Sequence, residues 1–312
     1  MGRVYVGAPL SGPQGRAGRD VLRGAELALE RAGGAELVVL DGYGEDRDAT
    51  AMAGARRAAE DGEALAYLGD FHSSQVASTA PILSAAGLLQ VAPVATYAGL
   101  AGDTLVRIMP HDGVGARAIA DWLAAASVGE VLVVHDYGDE YGEPVGAMCA
   151  DAARERGLEV RVRRVWDHDE TPADDLGNVQ AVVYVGVAGS GANALWHDLH
   201  AANPQLWLIG TEGVAADWLA RALQPSAAQR TRFFVANRAP LAFYGYEAMA
   251  LILDAIAAGG GGRAAIVEAA RSTRDRDSLI GRYSIDAEGH TTSTAYGRLA
   301  VVGGELVWDN AP

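Results

Sequence analysis

Short apolar runs and helix-length amphipathic stretches alternate along most of this chain. Runs rich in β-branched residues fall at Val4–Gly7, Leu37–Leu40, Ala66–Gly69, Leu88–Ala92, Val131–His135, Leu158–Val165, Ala181–Gly186 and Leu206–Gly210. Helical periodicity fills most of the intervals, over Gly18–Ala32, Ala49–Ala59, Ser73–Ala86, Gly115–Ala126, Pro144–Arg156, Ala192–Asn203 and Tyr244–Ala258. An apolar run bounded by Gly or Pro and followed by a helix is the signature of a parallel sheet with helices on both faces. From Val4 to about Ile108 the chain reads as one strand–helix unit after another, and it does so again from Val131 to about Phe234. This predicts two α/β lobes with Rossmann-like parallel central sheets. No low-complexity linker separates them, so a multi-strand hinge is expected in place of a tether. The stretch Tyr283–Val307 reads as short strands with turns at Glu288-Gly289 and Gly303-Gly304.

The length of 312 residues suits two domains of roughly 150 residues each. Half of the residues are hydrophobic, enough for two cores. A net charge of −15 argues against a nucleic-acid partner, which needs a basic face. All 25 basic residues are Arg, a bias attributed first to genome composition. Cys149 is the single cysteine, so no internal disulfide can form. The chain enters its first strand at once, without a charged n-region, an apolar h-region or a cleavage site. Either it is cytoplasmic or a signal peptide has been removed. No run of about 18 apolar residues is evident, so no membrane span is expected.

Several motifs invite a chemical reading. Gly189-Ser190-Gly191-Ala192-Asn193-Ala194 follows a strand and opens a helix, and Glu212 lies 21 residues beyond Gly191, as in a dinucleotide-binding turn. Small residues suit any strand-to-helix turn, however, and this one lies mid-chain. His197 and His200 could share a helix face toward a metal, but no third ligand is suggested and a solvated face is favoured. The acidic run Trp166–Glu170 lacks the glycine and spacing of a calcium loop. No Gly-x-Ser-x-Gly elbow is present, and Cys149 lies within an apolar helix pattern, where a thiol is usually inert. No cofactor, metal or catalytic residue is therefore expected.

A different constellation stands just after the expected strands, where open α/β sheets bind ligands. It comprises His72, Ser73 and Ser74; Thr96; Asp112; Tyr141; and Glu212. Ser73 also stands at a helix start, where free N–H groups and the positive dipole end favour an anion. Hydroxyls with helix amides suit a carboxylate, and Asp112 with Glu212 suits an ammonium, which together complement a zwitterionic amino acid. Each residue taken alone is equally consistent with a helix cap.

Across nearly its whole length the chain resembles the branched-chain amino-acid-binding proteins of ABC importers, the Leu/Ile/Val type of type I periplasmic binding protein. The resemblance rests on Gly7-Ala8-Pro9-Leu10-Ser11-Gly12-Pro13 with the helix Arg23-Gly24-Ala25-Glu26-Leu27-Ala28, and on Gly69-Asp70-Phe71-His72-Ser73-Ser74. It continues through Ala80-Pro81-Ile82, Ala92-Pro93-Val94-Ala95-Thr96, His135-Asp136 with Tyr141-Gly142, and Gly210-Thr211-Glu212-Gly213. Tyr246-Glu247-Ala248 and Ser284-Ile285-Asp286-Ala287-Glu288-Gly289 complete the series in order.

The resemblance implies a first lobe of residues 1–108 plus 239–293, a second of 109–238 plus 294–312, and a ligand cleft closed by lobe motion. It implies that Ser73, the backbone near Val94 and Ala95, and Thr96 hold an α-carboxylate. Asp112 and Glu212 would face the amine, with Tyr141 joining on closure. Three departures alter the implied walls: Ala17 where an aromatic is usual, Val187 where Tyr is frequent, and His72 where some members place a disulfide cysteine. A bulkier or aromatic amino acid, or another small carboxylate, is then the expected ligand. The resemblance further implies a monomer, an ABC permease as partner and a place in the cell envelope. A ligand-sensing domain of the same fold is the alternative role, and a nucleotide-dependent enzyme the more distant one.

Overall fold

The computed structural model describes residues 2–136, 141–165, 172–186, 190–236, 239–260 and 262–309. The chain forms two compact units, the first of Met1–His111 with Asn237–Ala295 and the second of Asp112–Ala236 with Tyr296–Pro312. It therefore passes from one unit to the other three times.

Unit 1 is built from β1 (Arg3–Ala8), α1 (Gly15–Ala32), β2 (Glu36–Asp41), α2 (Arg47–Glu60), β3 (Ala64–Leu68), α3 (Ser73–Ala85), β4 (Leu89–Ala92) and β5 (Leu105–Arg107). Its strands are parallel and ordered β2-β1-β3-β4-β5. Strand order reverses between β1 and β3, which is where open α/β sheets leave a crevice at their carboxyl ends. β4 and β5 are wholly buried, whereas the edge strand β2 is half exposed. The inner strands β1 and β3 accordingly read as nearly continuous apolar runs.

Unit 2 begins with α4 (Asp112–Ala125), β6 (Glu130–Asp136), α5 (Gly142–Glu155), β7 (Glu159–Val165) and β8 (Ala181–Val185). It continues through α6 (Ser190–Ala202), β9 (Trp207–Gly210), α7 (Asp217–Ala222), α8 (Pro225–Gln229) and β10 (Thr231–Val235). After the return through unit 1, made by α9 (Leu241–Gly259) and α10 (Arg263–Arg271), β11 (Gly297–Val302) and β12 (Glu305–Trp308) close the chain. The sheet runs β12-β11-β10-β9-β8-β6-β7. Five parallel strands repeat the order seen in unit 1, with reversal between β6 and β8, and an antiparallel hairpin covers the β10 edge. One core of this sheet gathers Tyr184, Trp196, Leu208 and Phe233, with the Trp196 indole N–H donating to Thr231 Oγ1 at 3.1 Å.

Five elements escape the sequence pattern, among them the short helices α7 and α8. β5 is three residues long, β10 alternates too little to stand apart from its flanks, and α10 follows a glycine run that reads as loop. In the tail only β11 and β12 are strands, and upstream of them Arg276–Tyr283 and Ile285–Thr291 form isolated bridges. The expectation that no segment is apolar enough to span a membrane needs correction. α9, 19 residues long, qualifies by length and composition. It is nevertheless packed as a core helix, burying Tyr244, Ala248, Met249, Leu251 and Ile252, and its Glu247 pairs with Arg276.

α9 packs closely on α1. A Cβ at Gly24 would lie 1.8 Å from the Ala242 carbonyl oxygen, and one at Gly245 would lie 2.0 Å from that of Val21. Both obstacles are backbone, so neither can swing aside. Gly245→Ala is expected to destabilise the protein by about 1–3 kcal/mol through overpacking. Gly62→Ala, where nothing lies within 4 Å, should stay within about 0.5 kcal/mol of the parent. Urea denaturation of both variants reads the difference, and equal midpoints would contradict this account of the helix pair.

Candidate functional site

The sequence-predicted site residues fall in both units. Within unit 1, Ser73 is the first residue of α3, and His72 precedes it in extended conformation as the cap. Gln75 accepts a bond from the His72 N–H at 3.3 Å, while its own amide donates to the carbonyls of Gly42 and Arg47, each at 3.1 Å. The first turn of α3 is thereby tied to the segment that leads into α2. Ser73 Oγ accepts from the Tyr97 N–H at 3.2 Å. Because that bond uses the oxygen as acceptor, the hydroxyl proton can still be donated to an anion. Arg107, fully buried on β5, donates to the Tyr97 carbonyl from the other side. Both polar groups of the Tyr97 peptide are thus held, and with them the loop carrying Val94, Ala95 and Thr96.

The residues of that half differ in what they present. Val94 and Thr96 are half-buried. Ala95 is buried among Val76, Ala92, Leu100 and Leu105, so only its backbone can meet a ligand. Ser74 is exposed and donates to Asp48 Oδ1 at 3.0 Å, toward α2. His72 packs edge-on against Phe71, and burial, followed by the nearby Arg47, lowers its pKa to about 4. Its imidazole is therefore neutral at pH 7.

Beneath this turn lies a polar network that sequence reasoning missed. Asp70 is almost wholly buried; its Oδ1 accepts from the Tyr67 hydroxyl at 2.9 Å and its Oδ2 from the Thr79 hydroxyl at 2.8 Å. Gln90 donates to Thr79 Oγ1 at 2.8 Å and to the Gly69 carbonyl at 3.1 Å. Burial pushes the Asp70 carboxyl up to about 6 against the opposing pull of the two hydroxyls. The trace it leaves in the sequence is a repeat. Ala64-Leu65-Ala66-Tyr67-Leu68-Gly69 in β3 recurs as Ala181-Val182-Val183-Tyr184-Val185-Gly186 in β8. In unit 2, Tyr184 donates to Asp136 at the end of β6, at 2.9 and 3.1 Å.

Within unit 2, Asp112 heads α4 and is buried, and Tyr141 stands immediately before α5. Glu212 follows β9 and accepts from the Ala236 N–H at 3.1 Å. Burial raises the Tyr141 phenol far above its usual value, and the charges of Asp112 and Glu212 add to the rise. Tyr296 is raised by burial and then by Glu212 and Asp112. Both carboxylates thus bear on the same two phenols. Burial also raises the Glu212 carboxyl, and lifts the Cys149 thiol to about 12 with help from Asp112, which leaves that thiol inert at neutral pH. A cavity of about 10 Å³ lies between Asp112, Ile119, Cys149, Thr211, Phe234 and Tyr296, close to the smallest space that holds one water. Val187 lies outside the described residues.

The other sequence candidates gain nothing from the fold. His197 is exposed beside Asp198, while His200 is buried and bonds to Ser226 Oγ at 2.9 Å, which corrects the expectation of a fully solvated pair. No group of three metal-ligating side chains occurs among the described residues. Gly189 and the acidic run Trp166–Glu170 lie outside the described residues, and Glu212 serves the Ala236 amide.

Residues 4–224 match the family profile described as periplasmic binding protein. The chain is 30% identical over 230 residues to the Leu/Ile/Val-binding protein homolog 3 of Brucella melitensis. That match covers 68% of this chain and 61% of the relative's length. Among solved structures it is similar in fold to the leucine-binding protein LivK of Thermotoga maritima, with a TM-score of 0.79 at 21% identity, covering 99% of this chain and 98% of that one. It is also similar to an ABC transporter substrate-binding protein of Desulfitobacterium hafniense in complex with Leu, with a TM-score of 0.80 at 19% identity, covering 98% and 99%.

The raised Asp70 carboxyl has a measurable consequence. Between its ordinary value near 4 and the folded value of about 6, the folded protein binds the proton more tightly than the unfolded chain does. The contribution of this group to stability therefore falls as pH rises through that window. Relative to Asp70→Asn, the parent should lose roughly 3 kcal/mol between pH 4 and pH 7. Denaturant titrations at several pH values measure the difference, and a pH-independent gap would contradict the assignment.

Proposed function

The chain belongs to the periplasmic binding protein family, and we propose that it is the solute-binding component of an ABC importer, taking an amino acid or a related small carboxylate. The observation that carries this reading is the pair of acids in unit 2. Asp112, buried at the head of α4, and Glu212, after β9, are two carboxylates that suit a cationic group such as an α-ammonium, and both raise the phenols of Tyr141 and Tyr296. Unit 1 offers the complement. Its Ser73 hydroxyl is held by Tyr97 with its proton still available, at a helix start whose first N–H groups have no acceptor within the helix. The donors of unit 1 suit a carboxylate, and the acids of unit 2 suit an ammonium.

Recognition in this reading needs no bond-making step. The His72 ring is neutral, the buried Cys149 thiol is inert and Glu212 is hydrogen-bonded, so none of them is activated as a nucleophile or base. The protein would act outside the cytoplasm and deliver its ligand to a membrane permease. His72 and Ala17 leave the wall chemistry unlike a purely branched aliphatic pocket, so aromatic and larger amino acids belong in the ligand screen with leucine, isoleucine and valine.

A thermal-shift panel of the standard amino acids, nucleotides and aromatic acids is expected to show a rise in Tm only with amino acids or their close carboxylate relatives. For the ligand so found, Ser73→Ala and Glu212→Ala should each weaken binding by about 1–3 kcal/mol, or roughly 5–150-fold, without unfolding the protein. Calorimetry showing parental affinity in both variants, with native circular dichroism, would defeat the assignment.

A further inference from the structure

Asp70 lies three residues before Ser73, in the turn that leads into α3. It is enclosed by β1, β3, α3 and β4. A Cβ at Gly7 of β1 would lie 2.8 Å from Oδ1, Tyr67 reaches it from β3, and Thr79 from α3, with Gln90 of β4 completing the set. Three residues on, Ser73 clasps the Tyr97 amide. The same phenol–carboxylate pair recurs at the equivalent strand reversal of unit 2, with the acid and the glycine exchanged. There Asp136 ends β6, and Gly186, just past β8, sits where a Cβ would meet Tyr184 Oη at 2.7 Å and Asp136 Oδ2 at 2.9 Å. The device therefore accompanies the place where this fold presents its loops, in both halves of the chain.

We infer that Asp70 is a positioning residue for ligand binding: its carboxylate, holding the Tyr67 and Thr79 hydroxyls, fixes the Gly69–Ser73 turn and through it the Tyr97 loop, so that gaining a proton loosens the half-site. This rests on the reading of Ser73 as ligand-facing. Both hydroxyls donate to Asp70 as the network stands, and Thr79 Oγ1 already receives the Gln90 amide. A protonated carboxyl has to donate in turn, so Thr79 Oγ1 would accept from both Gln90 and Asp70 and turn its own proton to the Val76 carbonyl at 3.4 Å, a longer bond than the 2.8 Å one it gives up. The charged and titratable groups bearing on Asp70 among the described residues are Tyr67 from β3 and the carboxylate of Asp48 from α2, which opposes ionisation. His72, close in sequence, gives up its proton near pH 4 and is already neutral where Asp70 titrates. Glu212 of unit 2 is also raised, so acid weakens the ammonium side independently, and only variants separate the two effects.

The test measures affinity by calorimetry from pH 5 to pH 8 for L-leucine and whichever standard amino acids bind, using the parent, Asp70→Asn and Thr79→Val. Ligand-free hydrogen exchange over residues 69–76 and 93–97 is followed alongside, corrected for intrinsic rates. The parent should lose affinity several-fold below about pH 6. Thr79→Val, whose ionised carboxylate lacks a donor, should shift that loss to higher pH. Asp70→Asn should bind at pH 8 as weakly as the parent does at pH 5. Should Thr79→Val not fold, Tyr67→Phe removes the other donor and carries the same expectation. A folded Asp70→Asn with the parent's affinity and midpoint overturns the inference. If no amino acid binds, the amino-acid reading fails by itself, and exchange still decides this one. Protection of 93–97 that falls with acid in the parent but not in Asp70→Asn supports it, and protection indifferent to pH in both overturns it.

Discussion

A tyrosine that ends a buried parallel strand by giving its hydroxyl to an aspartate is the constraint on which each half of this protein depends. Tyr67 does this for Asp70 at the reversal between β1 and β3, and Tyr184 for Asp136 at the reversal between β6 and β8. A parallel sheet buried on both faces leaves little room for polar groups, and at its carboxyl ends the chain must turn into helices whose first amides lack acceptors. A buried hydrogen-bonded pair at that point satisfies the polar groups and fixes where the turn begins. The glycine opposite each pair, Gly7 in one case and Gly186 in the other, is required by the phenol pressing against it.

From that anchor the candidate site follows outward in unit 1. Asp70 sets the start of α3, the start of α3 sets Ser73, and Ser73 with the buried Arg107 holds the peptide of Tyr97. In unit 2 the acids are held differently. Asp112 is the first residue of its helix and Glu212 is fixed by a backbone amide, while two enclosed phenols keep both carboxylates in poorly solvated surroundings. Unit 1 thus presents a hydroxyl beside helix amides, and unit 2 presents two carboxylates.

The α/β architecture was legible because its signal is local. Each inner strand is an apolar run, each helix shows one buried face, and the alternation of the two leaves few other folds. The same holds for where the named polar residues sit: Ser73 and Asp112 open helices and Glu212 follows a strand, as their positions after apolar runs foretold. β5 and α10 stayed hidden because three residues carry no period and a glycine run masks a helix start. The Asp70 network was illegible for a different reason. Its members lie as far as 23 residues apart in sequence, from Tyr67 to Gln90, and β3–β4 pairing is what brings those strands together. The six-residue repeat around Tyr67 and Tyr184 was in plain view, but without strand order nothing marks those tyrosines as more than core. α9 is apolar enough to pass for a membrane helix by composition, and its packing with the Glu247–Arg276 pair marks it as a core helix.

The central claim is that one small molecule is held at both its carboxylate and its ammonium. Calorimetry with the tightest-binding amino acid, its carboxamide and its N-acetyl derivative tests this most directly. The account predicts that blocking either end lowers affinity by at least ten-fold, about 1.4 kcal/mol. Parental affinity for either blocked form would contradict it.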